Sequence, residues 1–342
     1  MDYRLSFWTI TTYYCTVNGC LSGSSGVISG VPQGSVLGPL LFILYLESLL
    51  RVLQSFVNVS IYVFADDLKL LSTNPVELQQ ALNAVEAWSA RWQLKIQPLK
   101  SEHITFSRQH ISTSIKFYIN NSPIPETNVV KDLGLLISNN FKWKNYISSI
   151  YGKSLNLTWQ FFKSFSSRDP KFYVNLFKLY VRPLSEYNVN AWMPFLIGDL
   201  NKIESLQAKF TRFLCKKLNL KYNNYHHRCK ILNLETLEIR RVKYDLILIY
   251  KIINNLIDLD FSSLFKFNSN LNSYNLRRHK LSLEKPKLVK TSVRSNFFSY
   301  RCINIWNGLP EEIVTSSSLD IFKQKLNTFD LYSIYTPKVL PP

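Results

Sequence analysis

The sequence has no apolar run long enough to cross a membrane: the longest, around PLLFILYL, stops at Glu47, far short of the roughly 20 residues a spanning helix needs. Its first residues, MDYRLSFWTI, carry an acid at position 2 and no uninterrupted apolar core, so no signal peptide is expected. Cysteine is sparse. The five (Cys15, Cys20, Cys215, Cys229 and Cys302) are odd in number and irregularly spaced, which argues against a disulfide framework and for reduced thiols in an intracellular setting, nucleus or cytoplasm. His226, His227 and Cys229 form a local cluster that with Cys215 offers zinc-ligand types, but no paired CxxC or HxxxH spacing supports a tetrahedral zinc site.

Acidic residues are short as well. Against 41 Lys and Arg stand 23 Asp and Glu, a formal charge of +18 with a pI near 9.6. Such a balance calls for a polyanionic partner, a nucleic acid or an anionic membrane surface. The excess is segregated: residues 1–110 hold seven cations and seven anions, residues 111–342 hold 34 and 16. With 342 residues, 46% of them hydrophobic and 14% aromatic, the chain can bury a sizeable core in two or three subdomains.

The pattern along the chain is α+β. Residues 14–29 read as a Ser/Gly-rich hairpin, and GVPQGSVLGP leads into a helix over about 36–54, apolar nearly all round and therefore expected to be buried. Strand, acidic turn and strand follow over about 57–72. Asn74-Pro75 opens a helix, with Asn as cap and Glu77 completing a capping box; Leu78, Leu82, Val85, Trp88 and Trp92 share one face. Residues 94–137 return to strands, with a turn at Asn120-Asn121 and a last strand in VVKDLGLLIS. Helices then begin near Trp143, Asp169-Pro170, Asp199 and Leu234. A polar link at 266–275 precedes the most basic piece: eight Lys and Arg between Leu276 and Arg301 (Arg277, Arg278, Lys280, Lys285, Lys287, Lys290, Arg294, Arg301) against one acid, with Phe297, Phe298 and Tyr300 beside them. Cations for phosphates and rings for bases make this a candidate nucleic-acid stripe, the alternative being a merely solvated face.

Within IYVFADDLKLL, Asp66 and Asp67 stand side by side between two apolar runs. Such a pair suits an ordinary solvated hairpin tip. At about 5 Å two carboxylates repel by less than about 1 kcal/mol in water and by about 3 kcal/mol at the effective dielectric of a cleft. In a cleft they need a cation, and adjacent hard oxygens suit Mg²⁺ bridged to phosphates.

GVPQGSVLGPLLF at 30–42 followed by FADD at 64–67 resembles two successive core motifs of the reverse transcriptase of non-LTR (LINE-type, jockey-like) retrotransposons. VNGCLS at 17–22, LKIQPLKSEHITF at 94–106 and KDLGLLIS at 131–138 extend the likeness, and LYVRPLSEY, IESLQAKFTRFL and WNGLPEEI carry it into the downstream region of such elements. The resemblance implies a partial polymerase palm (an antiparallel sheet with buried helices) over 1–140, a mostly helical thumb-like region over 141–265 and a basic nucleic-acid-binding segment over 266–342. It implies nucleotidyl transfer to a primer 3′-hydroxyl with RNA template, DNA primer and deoxynucleotides as partners and Mg²⁺, or Mn²⁺, as cofactor.

Carried residue by residue, the resemblance makes Asp66 and Asp67 the metal-binding aspartates at a hairpin tip, with Phe64 and Ala65 before them near the nucleotide. Gln33 and Gly34 match the turn beneath the nascent base pair, which the tip is expected to face. Lys100 matches a lysine near the leaving group, and Leu133 and Gly134 the strand that grips the primer. Two departures stand out. Gln97 replaces the family's usual Asn, and the further aspartate expected on a strand upstream of PQG is missing, Asp2 being the only acid before Glu47. The chain is therefore expected to be a truncated copy, inactive without the missing N-terminal part of the element's protein. The alternative is a catalytically dead nucleic-acid-binding remnant.

Overall fold

The computed structural model describes residues 12–26, 34–107, 115–268, 279–285 and 292–338. It divides into two compact units, Met1–Thr127 and Asn128–Pro342, and mixes α-helices with short antiparallel hairpins. No helix among the described residues is long and apolar enough to cross a membrane.

In the first unit, β1 (Thr12–Tyr13) pairs with β4 (Ser25–Gly26) around an inner hairpin of β2 (Thr16–Val17) and β3 (Cys20–Leu21). Asn18 and Gly19 turn that hairpin with φ of 48° and 80°, the mirror-image turn that Asn-Gly favours. α1 (Gly38–Leu53) packs on α2 (Pro75–Trp92), and between them and β5 (Val59–Phe64) and β6 (Asp67–Ser72) lies a core of Leu46, Leu49, Leu53, Val59, Ala81, Val85 and Trp88. Tyr45 meets Trp88 and Trp92 edge-on, with ring centroids 5.5 and 5.1 Å away, and the Trp88 indole donates to Ser48 Oγ at 2.8 Å.

Two expectations need correction here. α1 is buried on one face only: Leu40, Ile43 and Leu44 are exposed, because only α2 and the β5–β6 hairpin cover it within this unit. Glu77 does not complete a capping box. Asn74 alone caps α2, accepting from the Val76 and Glu77 amides, while the Glu77 carboxylate accepts from the backbone and side-chain N–H groups of Asn58 at 3.0 and 2.7 Å and so ties the helix to the entrance of β5. The bonds from Asn58 hold that carboxyl below the usual range. Further on, Asn120 and Asn121 (φ 50° and 56°) turn β7 (Tyr118–Ile119) into β8 (Ser122–Pro123), and the Gln79 amide of α2 both donates to and accepts from Tyr118. Of the strands expected over 94–137, the part before residue 107 shows only a bridge between His103 and Glu126.

The second unit opens with a hairpin, β9 (Val129–Asp132) and β10 (Leu135–Ser138). VVKDLGLLIS is thus two strands, not one; Leu133 and Gly134 form the turn between them with φ of 43° and 89°. α3 (Lys144–Ser164) starts at Trp143 as expected, and Asp169 caps α4 (Pro170–Leu176) by accepting from Lys171 N–H. The chain continues through a wide π-turn, Phe177–Val181, into α5 (Arg182–Glu186). Pro183 explains the widening, since its ring displaces the carbonyl a regular turn would place against it. α6 (Ile197–Lys217) begins two residues before Asp199, α7 (Tyr225–Ile231) is capped by Asn224, and α8 (Leu237–Ile253) by Thr236. The short helices α9 (Phe261–Leu264), α10 (Ser292–Ser295), α11 (Phe298–Arg301), α12 (Ile303–Asn307) and α13 (Glu311–Val314) lead to α14 (Leu319–Thr328). Apart from α10, they share one core with α8, in which Leu246, Ile249 and Tyr250 meet Ile303, Trp306, Phe322 and Leu326.

A buried polar junction joins α6, α7 and α8. The Glu204 carboxylate accepts from the Leu237 and Glu238 amides at 2.9 and 3.0 Å and from the Tyr225 hydroxyl, so a side chain 33 residues earlier satisfies the first amides of α8. Gln207 donates to the Glu235 carbonyl at 2.8 Å and to Tyr225 Oη at 3.0 Å. Burial raises the Glu204 carboxyl, against the charge of Arg241 and these donors. Arg241 is itself buried, with no hydrogen-bond partner on its guanidinium among the described residues.

Candidate functional site

Asp66 and Asp67 sit at the end of the β5–β6 hairpin. The register runs from Val59 opposite Ser72 to Phe64 opposite Asp67, leaving Ala65 and Asp66 as the turn. Alternation along β5 sends Val59 and Ile61 to the core and Tyr62 and Phe64 away from it, and the last residues before the turn are exposed, Phe64 by 61%. Ala65 takes φ 51°, a left-handed conformation that costs an L-residue roughly 1–2 kcal/mol. The ladder above it sustains that conformation and projects both carboxylates into solvent.

Phe64, Ala65, Asp66 and Asp67 are thus brought to one tip. Gly34 is exposed with φ +84°, a conformation suited to glycine, and the turn after it is closed by Ser35 Oγ accepting from Gly38 N–H at 2.9 Å. Gln33, the other half of the PQG turn, lies outside the described residues, as does Asp2. Lys100 ends a 3₁₀ turn, Pro98–Lys100, and is exposed. Among the described residues no group of three His, Cys, Asp or Glu side chains is placed to hold a metal ion.

Leu133 and Gly134 belong to the second unit. The turn they make is pinned by a residue that sequence reasoning missed. Tyr187 donates from its hydroxyl to the Leu133 carbonyl at 2.8 Å and lays its ring against Gly134. Its neighbour Glu186 accepts from Arg240 and, at 2.8 Å, from Tyr244, which fixes the chain end that carries Tyr187 to α8. The segment LYVRPLSEY marked the region, but nothing in it named the partner turn.

The candidate basic stripe is split by the structure. Lys280 and Arg294 are exposed, the latter with its guanidinium 5.6 Å from the centre of the Tyr300 ring. Arg301 leaves the stripe: it donates twice to Asp245 at 2.8 Å and also to the Asn190 and Asn296 carbonyls, so its guanidinium is occupied within the fold. Phe298 is buried in the same core. Arg277, Arg278, Lys287 and Lys290 lie outside the described residues.

Residues 2–137 match the family described as reverse transcriptase (RNA-dependent DNA polymerase). The chain is 30% identical over 224 residues to the RNA-directed DNA polymerase from mobile element jockey of Drosophila funebris, an alignment covering 60% of this chain and 24% of that protein. It is 26% identical over 207 residues to the probable RNA-directed DNA polymerase from transposon X-element of Drosophila melanogaster, covering 58% and 23%, and 27% identical over 224 residues to the jockey polymerase of the same species, covering 60% and 24%. It spans about a quarter of the length of these curated relatives. The chain therefore carries, in residues 2–137, a reverse transcriptase domain of the non-LTR retrotransposon type.

Proposed function

We propose that this chain supplies the Asp66–Asp67 half of a nucleotidyl-transfer site, working as part of a longer RNA-directed DNA polymerase. The observation that carries the proposal is the exposed carboxylate pair on a six-residue-per-strand hairpin inside the matched reverse transcriptase segment. Two adjacent hard oxygen donors fit Mg²⁺ or Mn²⁺. They do not complete a two-ion site by themselves, and no further ligand stands with them among the described residues. Bound metal would supply a lowered pKa at the primer 3′-hydroxyl and charge neutralisation at the leaving pyrophosphate. The chain's own residues do the rest: Asp66 and Asp67 hold metal, Phe64 and Ala65 border the incoming deoxynucleotide, and Gln33 and Gly34 support the nascent base pair. Lys100 contacts a phosphate near the leaving group. Leu133 and Gly134, held by Tyr187, steady the DNA primer on its RNA template.

On this reading the chain alone extends a primer poorly, because its carboxylate set is incomplete among the described residues and misplacing a reacting group by about 1 Å costs on the order of a hundredfold. Adding the preceding part of a jockey-type polymerase, in trans or as a fusion, should raise extension on an RNA template with Mg²⁺. Failure of every such combination to extend a primer overturns the proposal. The segregated charge, with 34 cations against 16 anions after residue 110, favours a second reading in which the chain binds nucleic acid without catalysis; tight binding together with failed complementation would support it.

A further inference from the structure

Among the described residues, positive charge also gathers on α3 and α6. α3 carries Lys144, Lys153 and Lys163 and no acid. α6 carries Lys202, Lys209, Arg212, Lys216 and Lys217 with two acids, of which Glu204 is turned into the junction with α8 and Asp199 lies in the first turn. Lys202, Lys209 and Lys216 recur every seven residues, which keeps them near one face of the helix, over about 21 Å at 1.5 Å per residue.

Tyr151 of α3 lies between the first two. Lys202 Nζ stands 5.4 Å from the ring centre and donates to Ser148 Oγ at 2.8 Å. Lys209 Nζ also stands 5.4 Å from that centre and donates to Tyr151 Oη at 2.6 Å. Two ammonium groups are thus drawn onto one phenol, and neither forms an ion pair with a described carboxylate. Burial pushes the Tyr151 hydroxyl up, but the bonds from Lys209 and Ser205 and the two ammonium charges outweigh it and hold the phenol below its ordinary range. Like charges gathered around a single ring are relieved by an anion. Farther along the same two helices Trp159 and Phe213 meet edge-on at 4.2 Å, each 38% exposed, with Lys163 and Lys216 exposed beyond them. Cations spaced along a groove and interleaved with half-exposed rings suit a strand that offers phosphates at intervals and bases to stack between them.

We propose that the groove between α3 and α6 binds the backbone of a nucleic-acid strand, with Lys202 and Lys209 holding phosphate over Tyr151 and with Trp159 and Phe213 receiving a base. The assignment rests on the proposed function only in taking nucleic acid as the partner; it does not need the chain to polymerise.

The test is fluorescence anisotropy of the full chain with 20-nucleotide single-stranded RNA, single-stranded DNA and an RNA–DNA hybrid over a series of salt concentrations. Lys202→Ala/Lys209→Ala should bind at least about tenfold more weakly at low salt and should lower the slope of log K against log[salt] by about 1.4–1.8, the release expected from two phosphate contacts. Trp159→Ala should weaken the single strands more than the hybrid. A charge-matched control, Lys171→Ala/Lys323→Ala, should keep the slope of the unmodified chain. Lys202→Gln/Lys209→Gln, with melting temperature checked against the unmodified chain, guards against a folding defect. Binding whose slope is the same in the unmodified chain and in both groove variants overturns this proposal and leaves the reverse transcriptase reading standing. No binding to any nucleic acid, or binding only to phosphatidylserine vesicles, overturns both.

Discussion

Tyr187 holds the turn at Gly134: its hydroxyl donates to the Leu133 carbonyl at 2.8 Å, and its ring edge lies 3.5 Å from where a Cβ on Gly134 would stand. That spacing is ordinary contact, so an added methyl group fits. Backbone conformation decides the outcome instead, because Gly134 has φ +89°. Gly134→Ala should therefore cost about 1–2 kcal/mol from the left-handed conformation. Tyr187→Phe should cost about 0.5–1.5 kcal/mol, one hydrogen bond at a partly exposed site. Urea unfolding of the two variants checks both, and an Ala variant as stable as the unmodified chain would show that the turn is not held as described.

Glu204 is the acceptor on which the start of α8 depends. Glu204→Ala leaves the Leu237 and Glu238 amides and the Tyr225 hydroxyl without their acceptor and removes the carboxylate charge that opposes the buried Arg241 guanidinium. Breaking one side of a buried charge set costs about 3–5 kcal/mol. Glu204→Gln keeps an acceptor oxygen and should cost less, though it still strands Arg241. Chemical denaturation in which Glu204→Ala loses under 1 kcal/mol would contradict this role.

His279 should make the second unit acid-sensitive. Its Nε2 lies 3.0 Å from the Trp306 carbonyl, to which it donates, and burial lowers its pKa against the small opposing effects of that bond and of Glu311. A base whose folded pKa lies below its unfolded value of about 6.5 binds protons more readily when unfolded. Stability attributable to His279 is therefore full above about pH 6.5 and declines as the pH falls below it toward the folded pKa. Thermal melts at pH 7.5 and 5.5 should show a smaller loss for His279→Gln than for the unmodified chain. Equal losses would assign the acid sensitivity to other groups.

What could be read in the sequence was local chemistry. Asn74-Pro75 and Asp169-Pro170 start helices where a side-chain cap precedes a residue whose missing N–H costs nothing in the first turn, and both do so in the structure. Asn120-Asn121 turns a hairpin for the same kind of reason, since Asn tolerates positive φ. The Leu133 turn was not legible: leucine at φ 43° is set by the Tyr187 bond, which comes from 54 residues away. Arg301 shows the same limit at the candidate stripe. A basic, aromatic segment looks like an interface until Asp245, 56 residues earlier, is found to occupy the guanidinium. Glu204 lies in IESLQAKFTRFL, which the sequence marked only by its family resemblance, and its role appears only when the start of α8 is brought beside it. The exposed Leu40, Ile43 and Leu44 mark the reverse error, a helix called buried from its composition when its own unit covers only one face.

The central claim is that Asp66 and Asp67 form part of a polymerase site, and primer extension tests it most directly. The assay uses an RNA template, a DNA primer, deoxynucleotides and Mg²⁺, with the chain complemented by the preceding part of a jockey-type polymerase, and compares it with the Asp66→Asn and Asp67→Asn variants in the same complex. Each variant leaves the hairpin ladder from Val59–Ser72 to Phe64–Asp67 intact while removing one charge. Extension should fall by at least about a hundredfold in each variant, consistent with the loss of a group that positions the reacting atoms, while binding of the template–primer hybrid is retained. Extension that survives both substitutions would contradict the account.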